Sequence, residues 1–288
     1  MTSTLPPAPP PLSGPVVDNH AHLDHVRRGD DPLAVPEAIA RARSVNVTRI
    51  VQIGCDLDSA RWSVQTATRH PEVVAGVSLH PTQATAIAAT EGESGLREAL
   101  AEIEALAADP RVRVIGETGL DHHWVGADDV AGRAAQEESF RFHIDLAKRT
   151  GTVLQIHDRD AHEGVLRVLA EEGAPERTVF HCFSGDEPMA RFCLERGWYL
   201  SFAGPVTFAN AEGLRTALRV AASDADWLGR LLVETDAPYL TPHPHRGRPN
   251  ASYLVPLTVR RMAAELGLEE AALCALLDAT SEALYGPW

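Results

Sequence analysis

The chain has very little lysine: Lys148 is the only one among 26 basic residues. A Schiff-base mechanism needs an active-site lysine amine, and Lys148 falls inside a helical pattern, so that chemistry is excluded. Cysteine is also scarce. Cys55, Cys182, Cys193 and Cys274 form no Cys-x-x-Cys pair, which argues for reduced thiols and against a disulfide framework or zinc knuckle. No apolar run approaches the roughly 20 residues a membrane-spanning helix needs. Basic charge is in deficit, with a formal net charge of −14, which speaks against non-specific duplex binding driven by counterion release. Any nucleic-acid substrate must therefore be held locally, by metal ions and a few arginines. No glycine-rich phosphate turn follows the first apolar run, which weighs against an open dinucleotide-binding sheet. The leader Met1–Pro15 is rich in proline and lacks the basic and apolar regions of a signal peptide. It is expected as an extended, poorly ordered segment, residues 1–15, on a cytoplasmic protein with no membrane association and no obligate protein partner.

What is present is an alternation. Short β-branched runs at Val16–Asn19, Thr48–Ile53, Val73–Ser78, Val112–Gly116, Val153–His157, Thr178–His181, Trp198–Phe202 and Leu231–Glu234 predict eight strands. Helical patterns separate them: Pro36–Ser44, Ser59–Arg69, Leu96–Ala108, Arg133–Thr150, Ala161–Glu172, Glu187–Arg196 and Ala211–Ala222. Two more follow, Tyr253–Leu266 and Glu269–Leu284, and Gly151 and Gly197 stand where helix C-caps belong. Eight strands alternating with helices predict an α/β chain folded as a TIM (β/α)8 barrel, a single domain over residues 16–288.

Six metal-ligand side chains close these apolar runs: His20, His22, Glu117, His157, His181 and Asp236. Singly, each has an ordinary reading as a core histidine, an ion-paired carboxylate or a turn cap. Together, at five strand ends, they predict a metal site, because catalytic groups of such barrels gather at the C-terminal ends of the strands. His20 and His22 alternate along a strand and so point to one side. Six donors exceed what one tetrahedral zinc accepts, so two divalent ions are expected. His20, His22 and Asp236 are assigned to one, His157 and His181 to the other, with Glu117 bridging. Imidazole-rich donors favour zinc, manganese, iron or nickel, and the carboxylates leave magnesium open. A bound ion lowers the pKa of water towards about 7, and Asp236 is placed to accept the proton; Asp236 and Glu117 are thus the expected catalytic carboxylates.

The segments Asp18-Asn19-His20-Ala21-His22-Leu23-Asp24, Gly116-Glu117-Thr118-Gly119-Leu120-Asp121 and His157-Asp158-Arg159-Asp160-Ala161 resemble those of the TatD family of metal-dependent deoxyribonucleases. So do His181-Cys182-Phe183-Ser184-Gly185 and Glu234-Thr235-Asp236-Ala237-Pro238-Tyr239-Leu240, with a softer match at His80-Pro81. The resemblance implies a TIM barrel, two or more divalent ions and hydrolysis of DNA phosphodiesters, often from the 3′ end. It places the family's metal positions on the same six residues. Related barrel hydrolases that cleave amides often bridge their metals with a carboxylated lysine on the fourth strand; Lys148 lies in the following helix, and Glu117 takes that position. Two segments depart from the family pattern: His122-His123-Trp124, where tyrosines are common, and Asn250-Ala251-Ser252, where Asn-Glu-Pro is usual.

Substrate contacts are expected from His80 and Arg159, and from the loop pairs Arg27-Arg28 and Arg246-x-Arg248. Trp124, Phe183 and Tyr239 are candidates for stacking on an unpaired base. The expected substrate is single-stranded or frayed DNA. The alternatives are hydrolysis of carboxylic esters or amides, such as aminoacyl-tRNA, and a non-catalytic metal-binding protein.

Overall fold

The computed structural model describes residues 5–27, 30 and 33–288. In chain order these hold β1 (Val16–Ala21), α1 (Val35–Arg43), β2 (Val47–Gly54), α2 (Leu57–Arg69), β3 (Val73–Val77), α3 (Pro81–Ala107), β4 (Val112–Asp121) and α4 (Val130–Thr150). They continue with β5 (Val153–Arg159), α5 (His162–Glu172), β6 (Thr178–Phe180), α6 (Glu187–Glu195), β7 (Tyr199–Phe202), α7 (Glu212–Val220) and α8 (Ala225–Leu228). β8 (Leu231–Val233), α9 (Val255–Leu266) and α10 (Glu270–Tyr285) complete the chain. Each strand is followed by a helix, which is the α/β order of the (β/α)8 TIM-barrel class.

Two compact units are distinguished, one running to Gln52 and resuming at Gly185–Trp288, the other covering Ile53–Ser184. In the first, β1 pairs with β2 and β7 with β8, both in parallel. β1 is buried throughout, with Val16, Val17 and Ala21 apolar and Asp18, Asn19 and His20 polar groups carried into the interior. α10 packs on β1 and β8. The proline-rich leader departs from expectation. Met1–Thr4 lie outside the described residues. From Leu5 onward, distant side chains take hold of the leader's carbonyls: Arg248 donates to Leu5, Tyr253 to Pro6, and Arg260 to Pro10 and Pro11. Leu12 is buried, with its N–H bonded to the Val45 carbonyl. An extended chain leaves its carbonyls unpaired, and here they are acceptors for these donors.

In the second unit β3, β4, β5 and β6 pair in parallel and in chain order. α2 starts two residues before the predicted Ser59 because Asp56 caps it in a reciprocal capping box with Ser59. α3 starts at Pro81, and its first half was not predicted: Ala- and Thr-rich turns carry no strong apolar stripe, and Gly92, at φ 72°, breaks the period. Gly151 caps α4 in the left-handed conformation, as expected, and Gly197 follows α6 at φ 72°.

His143 of α4 is fully buried and ties β3's end to this helix. Its Nδ1–H donates to the Ser139 carbonyl at 2.7 Å, leaving Nε2 to accept the Leu79 N–H at 3.3 Å. Burial pushes its pKa down from 6.5 to about 4. The folded value lies below the unfolded one, so this stabilisation is full above pH 6.5 and is lost as pH falls towards 4. The stability gap between wild type and His143→Gln is expected to narrow by about 2 kcal/mol between pH 7 and pH 4.5. Urea unfolding of both proteins at the two pH values measures it, and a constant gap would refute the assignment.

Candidate functional site

In the first unit, β1 and the segment after β8 are laced by backbone bonds. Asp236 N–H donates to the His20 carbonyl at 2.9 Å and His22 N–H to the Ala237 carbonyl at 2.8 Å. Below them Asp18, fully buried, accepts the Thr235 N–H at 2.8 Å and the Thr235 hydroxyl at 2.7 Å. Burial raises the Asp18 pKa to about 7, against the pull of its hydrogen bonds from Thr235 and Ser252. Asn250 Nδ2 donates to the Thr235 and Tyr239 carbonyls. This framework holds Asp236 at φ 54°, a conformation uncommon outside glycine, asparagine and aspartate.

The result is a three-donor cluster. His20 Nε2 and His22 Nε2 lie 3.2 Å apart, and Asp236 Oδ1 lies 3.3 Å from His22 Nε2 and 3.8 Å from His20 Nε2. Ligand–metal bonds of about 2.0–2.1 Å in a tetrahedron put donors about 3.3 Å apart. Two imidazoles and a carboxylate at this spacing fit a divalent transition-metal ion. The predicted trio is therefore brought together.

In the second unit, the predicted Glu117, His157 and His181 also converge. Glu117 Oε2 is 2.8 Å from His157 Nδ1 and 2.9 Å from His181 Nε2. Neither Glu117 nor His157 ends its strand, contrary to expectation. β4 runs on to Asp121 and β5 to Arg159, with a register shift between Ile115 and Thr118. Past the shift Gly119 pairs with His157 and Asp121 with Arg159.

That extension carries Asp121, to which no role was assigned from sequence. Its Oδ2 lies 3.1 Å from His157 Nε2, while its Oδ1 accepts the N–H groups of His123 and Trp124 at 3.0 and 2.9 Å. A carboxylate on the far nitrogen fixes the ring of a metal-binding histidine and raises its basicity. Burial lowers the His157 pKa, but the bonds to Asp121 and Glu117 outweigh it and the net shift is upward. The two carboxylates therefore favour a proton on His157 in particular. Asp121 stood in the Gly-Leu-Asp motif, and a strand taken to end at Gly116 hid its position beside His157.

His80 joins this cluster, with Nε2 3.4 Å from His157 Nδ1 and 3.9 Å from Glu117 Oε2. Its Nδ1 accepts the Thr82 N–H as the N-cap of α3, so Nε2 carries the proton of the neutral ring. Burial, reinforced by His157, lowers its pKa to about 3. His80, Asp121 and His157 form a mutually close donor trio. Cys55, a free thiol, is half-buried, with Sγ 3.4 Å from Glu117 Oε1.

The expected phosphate clamps have other partners. Arg27 donates to the Arg248 and Gly247 carbonyls, Arg248 donates to Leu5, and the Arg246 guanidinium sits 4.5 Å from the Phe208 ring centroid. Arg28 lies outside the described residues. Phe183 is buried, and Tyr239 stands edge-on to His22 and His25. His123 pairs with Asp160 at 3.2 Å. Arg159 lies at the end of β5, its guanidinium over Trp124. A cleft beside the first cluster is lined by His22, His25, Ala237, Pro238, Asn250 and Ser252 among others, so the divergent Asn250-Ala251-Ser252 segment does face it.

Comparison with known proteins agrees with this geometry. The family model for TatD related DNase matches residues 17–286. An uncharacterized metal-dependent hydrolase TatD of Mycobacterium tuberculosis is 44% identical over 272 residues, covering 94% of this chain and 98% of its own. The metal-dependent hydrolase YabD of Bacillus subtilis is 38% identical over 258 residues, covering 88% and 93%. Among solved structures, the TatD homologue YjjV of Escherichia coli superposes with a TM-score of 0.80 at 23% identity, covering 94% of this chain and 97% of its own.

Proposed function

The chain belongs to the TatD-related DNase family of metal-dependent hydrolases, and from that premise we propose that it cleaves phosphodiester bonds at unpaired ends of DNA, using two divalent ions. The observation that carries this reading is the donor spacing of His20, His22 and Asp236, 3.2 to 3.8 Å, which suits a divalent ion. These three would hold one ion. His157, His181 and Glu117 would hold the other, with Asp121 fixing the His157 ring. Divalent ions supply Lewis acidity towards phosphoryl oxygens and lower the pKa of water.

The chain's own residues supply the rest. Asp236 keeps 15% of its side chain exposed, so one of its oxygens can take a proton from the attacking water. His80, neutral at pH 7, presents an Nε2–H suited to a phosphoryl oxygen. Few phosphates need be gripped, which reconciles nuclease chemistry with a charge of −14. Against a labelled single-stranded oligonucleotide the protein is expected to release nucleotides only with divalent metal, with loss of activity on adding chelator. A p-nitrophenyl carboxylic ester run alongside decides the matter: turnover of the ester but not of the oligonucleotide would overturn the phosphodiester reading.

A further inference from the structure

Trp124 and Arg159 stand apart from the metal clusters yet are tied to one of them. Trp124 is 67% exposed, more than any other aromatic among the large hydrophobic side chains at the surface. An exposed indole offers a flat apolar face on which another ring can stack. The ring is not loosely held. Its backbone N–H is bonded at 2.9 Å to Asp121 Oδ1, and Asp121 Oδ2 is bonded to His157. One carboxylate thus sets both a proposed metal ligand and the tryptophan. His123 braces the indole edge-on, centroids 5.0 Å apart, and is itself held by Asp160.

Arg159 completes the arrangement. β4 and β5 pair Asp121 with Arg159, and the guanidinium carbon lies 5.7 Å from the Trp124 centroid. Many of the chain's arginines are neutralised by carboxylates, as Arg141, Arg149 and Arg219 are. Among the described residues no carboxylate lies within 4.0 Å of the Arg159 guanidinium. A cation without an acidic partner, packed on an exposed indole in an acidic protein, matches one ligand chemistry: a flat ring joined to an anion.

We propose that Trp124 and Arg159 form a nucleotide subsite, in which the indole stacks an unpaired base and the guanidinium holds the adjoining phosphate. This rests on the phosphodiesterase reading and adds to it the part of the substrate that the protein recognises: a base free to stack, whatever its identity, since every base offers a π face.

The test is binding, so that it does not depend on turnover. The probes are a fluorescein-labelled, phosphorothioate-linked deoxyadenosine hexamer and the same hexamer with abasic residues, followed by anisotropy. Wild type is expected to bind the base-bearing probe roughly ten- to a hundredfold more tightly than the abasic one. Trp124→Ala should abolish that preference, and Trp124→Phe should keep most of it. Arg159→Gln should weaken both probes and reduce the salt slope by about 0.7. Equal binding of the base-bearing probe by Trp124→Ala and wild type overturns the subsite, as does a wild type indifferent to bases. If the preference is present and depends on Trp124 while ordinary oligonucleotides are not hydrolysed, the subsite stands and the nuclease reading fails. If oligonucleotides are hydrolysed and Trp124 makes no difference, the reverse holds.

Discussion

Asp236→Asn is expected to lower kcat on a single-stranded oligonucleotide by about a thousandfold or more, with the fold left in place. Two effects combine. The amide donates poorly to a metal ion, and it cannot accept the proton of the attacking water. The backbone, by contrast, tolerates the change. Asp236 sits at φ 54°, and asparagine adopts that region as readily as aspartate. Its N–H bond to the His20 carbonyl does not involve the side chain. Stability is therefore expected within about 1 kcal/mol of wild type. Glu234, two residues earlier, cannot substitute, because it is fully buried whereas Asp236 reaches the surface. Rates at saturating metal, elemental analysis and urea unfolding measured on one preparation separate the outcomes. A rate near wild type with the full metal complement would sink the role given to Asp236.

The clusters differ in how readable they were. His20 and His22 were legible because a two-residue period in an apolar strand leaves no choice of side, and the structure buries both. The α/β order was legible for the same reason: strands covered on both faces read as continuous apolar runs. Asp121 was hidden by the register shift at Gly116–Glu117, which lets β4 continue for residues whose composition, Thr-Gly-Leu-Asp, suggests a turn. The contacts of the loop arginines were not legible, because a guanidinium that donates to carbonyls, as Arg27 and Arg248 do, has the same sequence signature as one that binds phosphate. The leader was misread because its partners, Arg248, Tyr253 and Arg260, are more than 240 residues away in the chain and no local pattern announces them.

Gly119→Ala tests whether that concealed extension of β4 holds the second cluster together. Gly119 has φ 145°, and a Cβ placed there lies 2.1 Å from the His157 carbonyl oxygen. The nearest atoms are the backbone of the paired strand, which cannot rotate away as a side-chain tip does. Backbone in this region is sparsely populated by other residues and costs about 1–3 kcal/mol by itself; the overlap adds to it. A loss of at least about 3 kcal/mol is expected, and where folding survives, β5 must shift at the residue that faces Asp121 and Glu117. Metal content should fall together with stability. Gly151→Ala is the control. Gly151 has φ 65°, but no atom lies within 4 Å of its added Cβ, so only the conformational cost of about 1–2 kcal/mol applies and the metal should be retained. Urea unfolding and elemental analysis of the two variants together decide the case. Equal losses would mean that conformation alone matters at Gly119. A larger loss of both stability and metal at Gly119 would show that the close approach of β4 to His157 is what sets the donors in place.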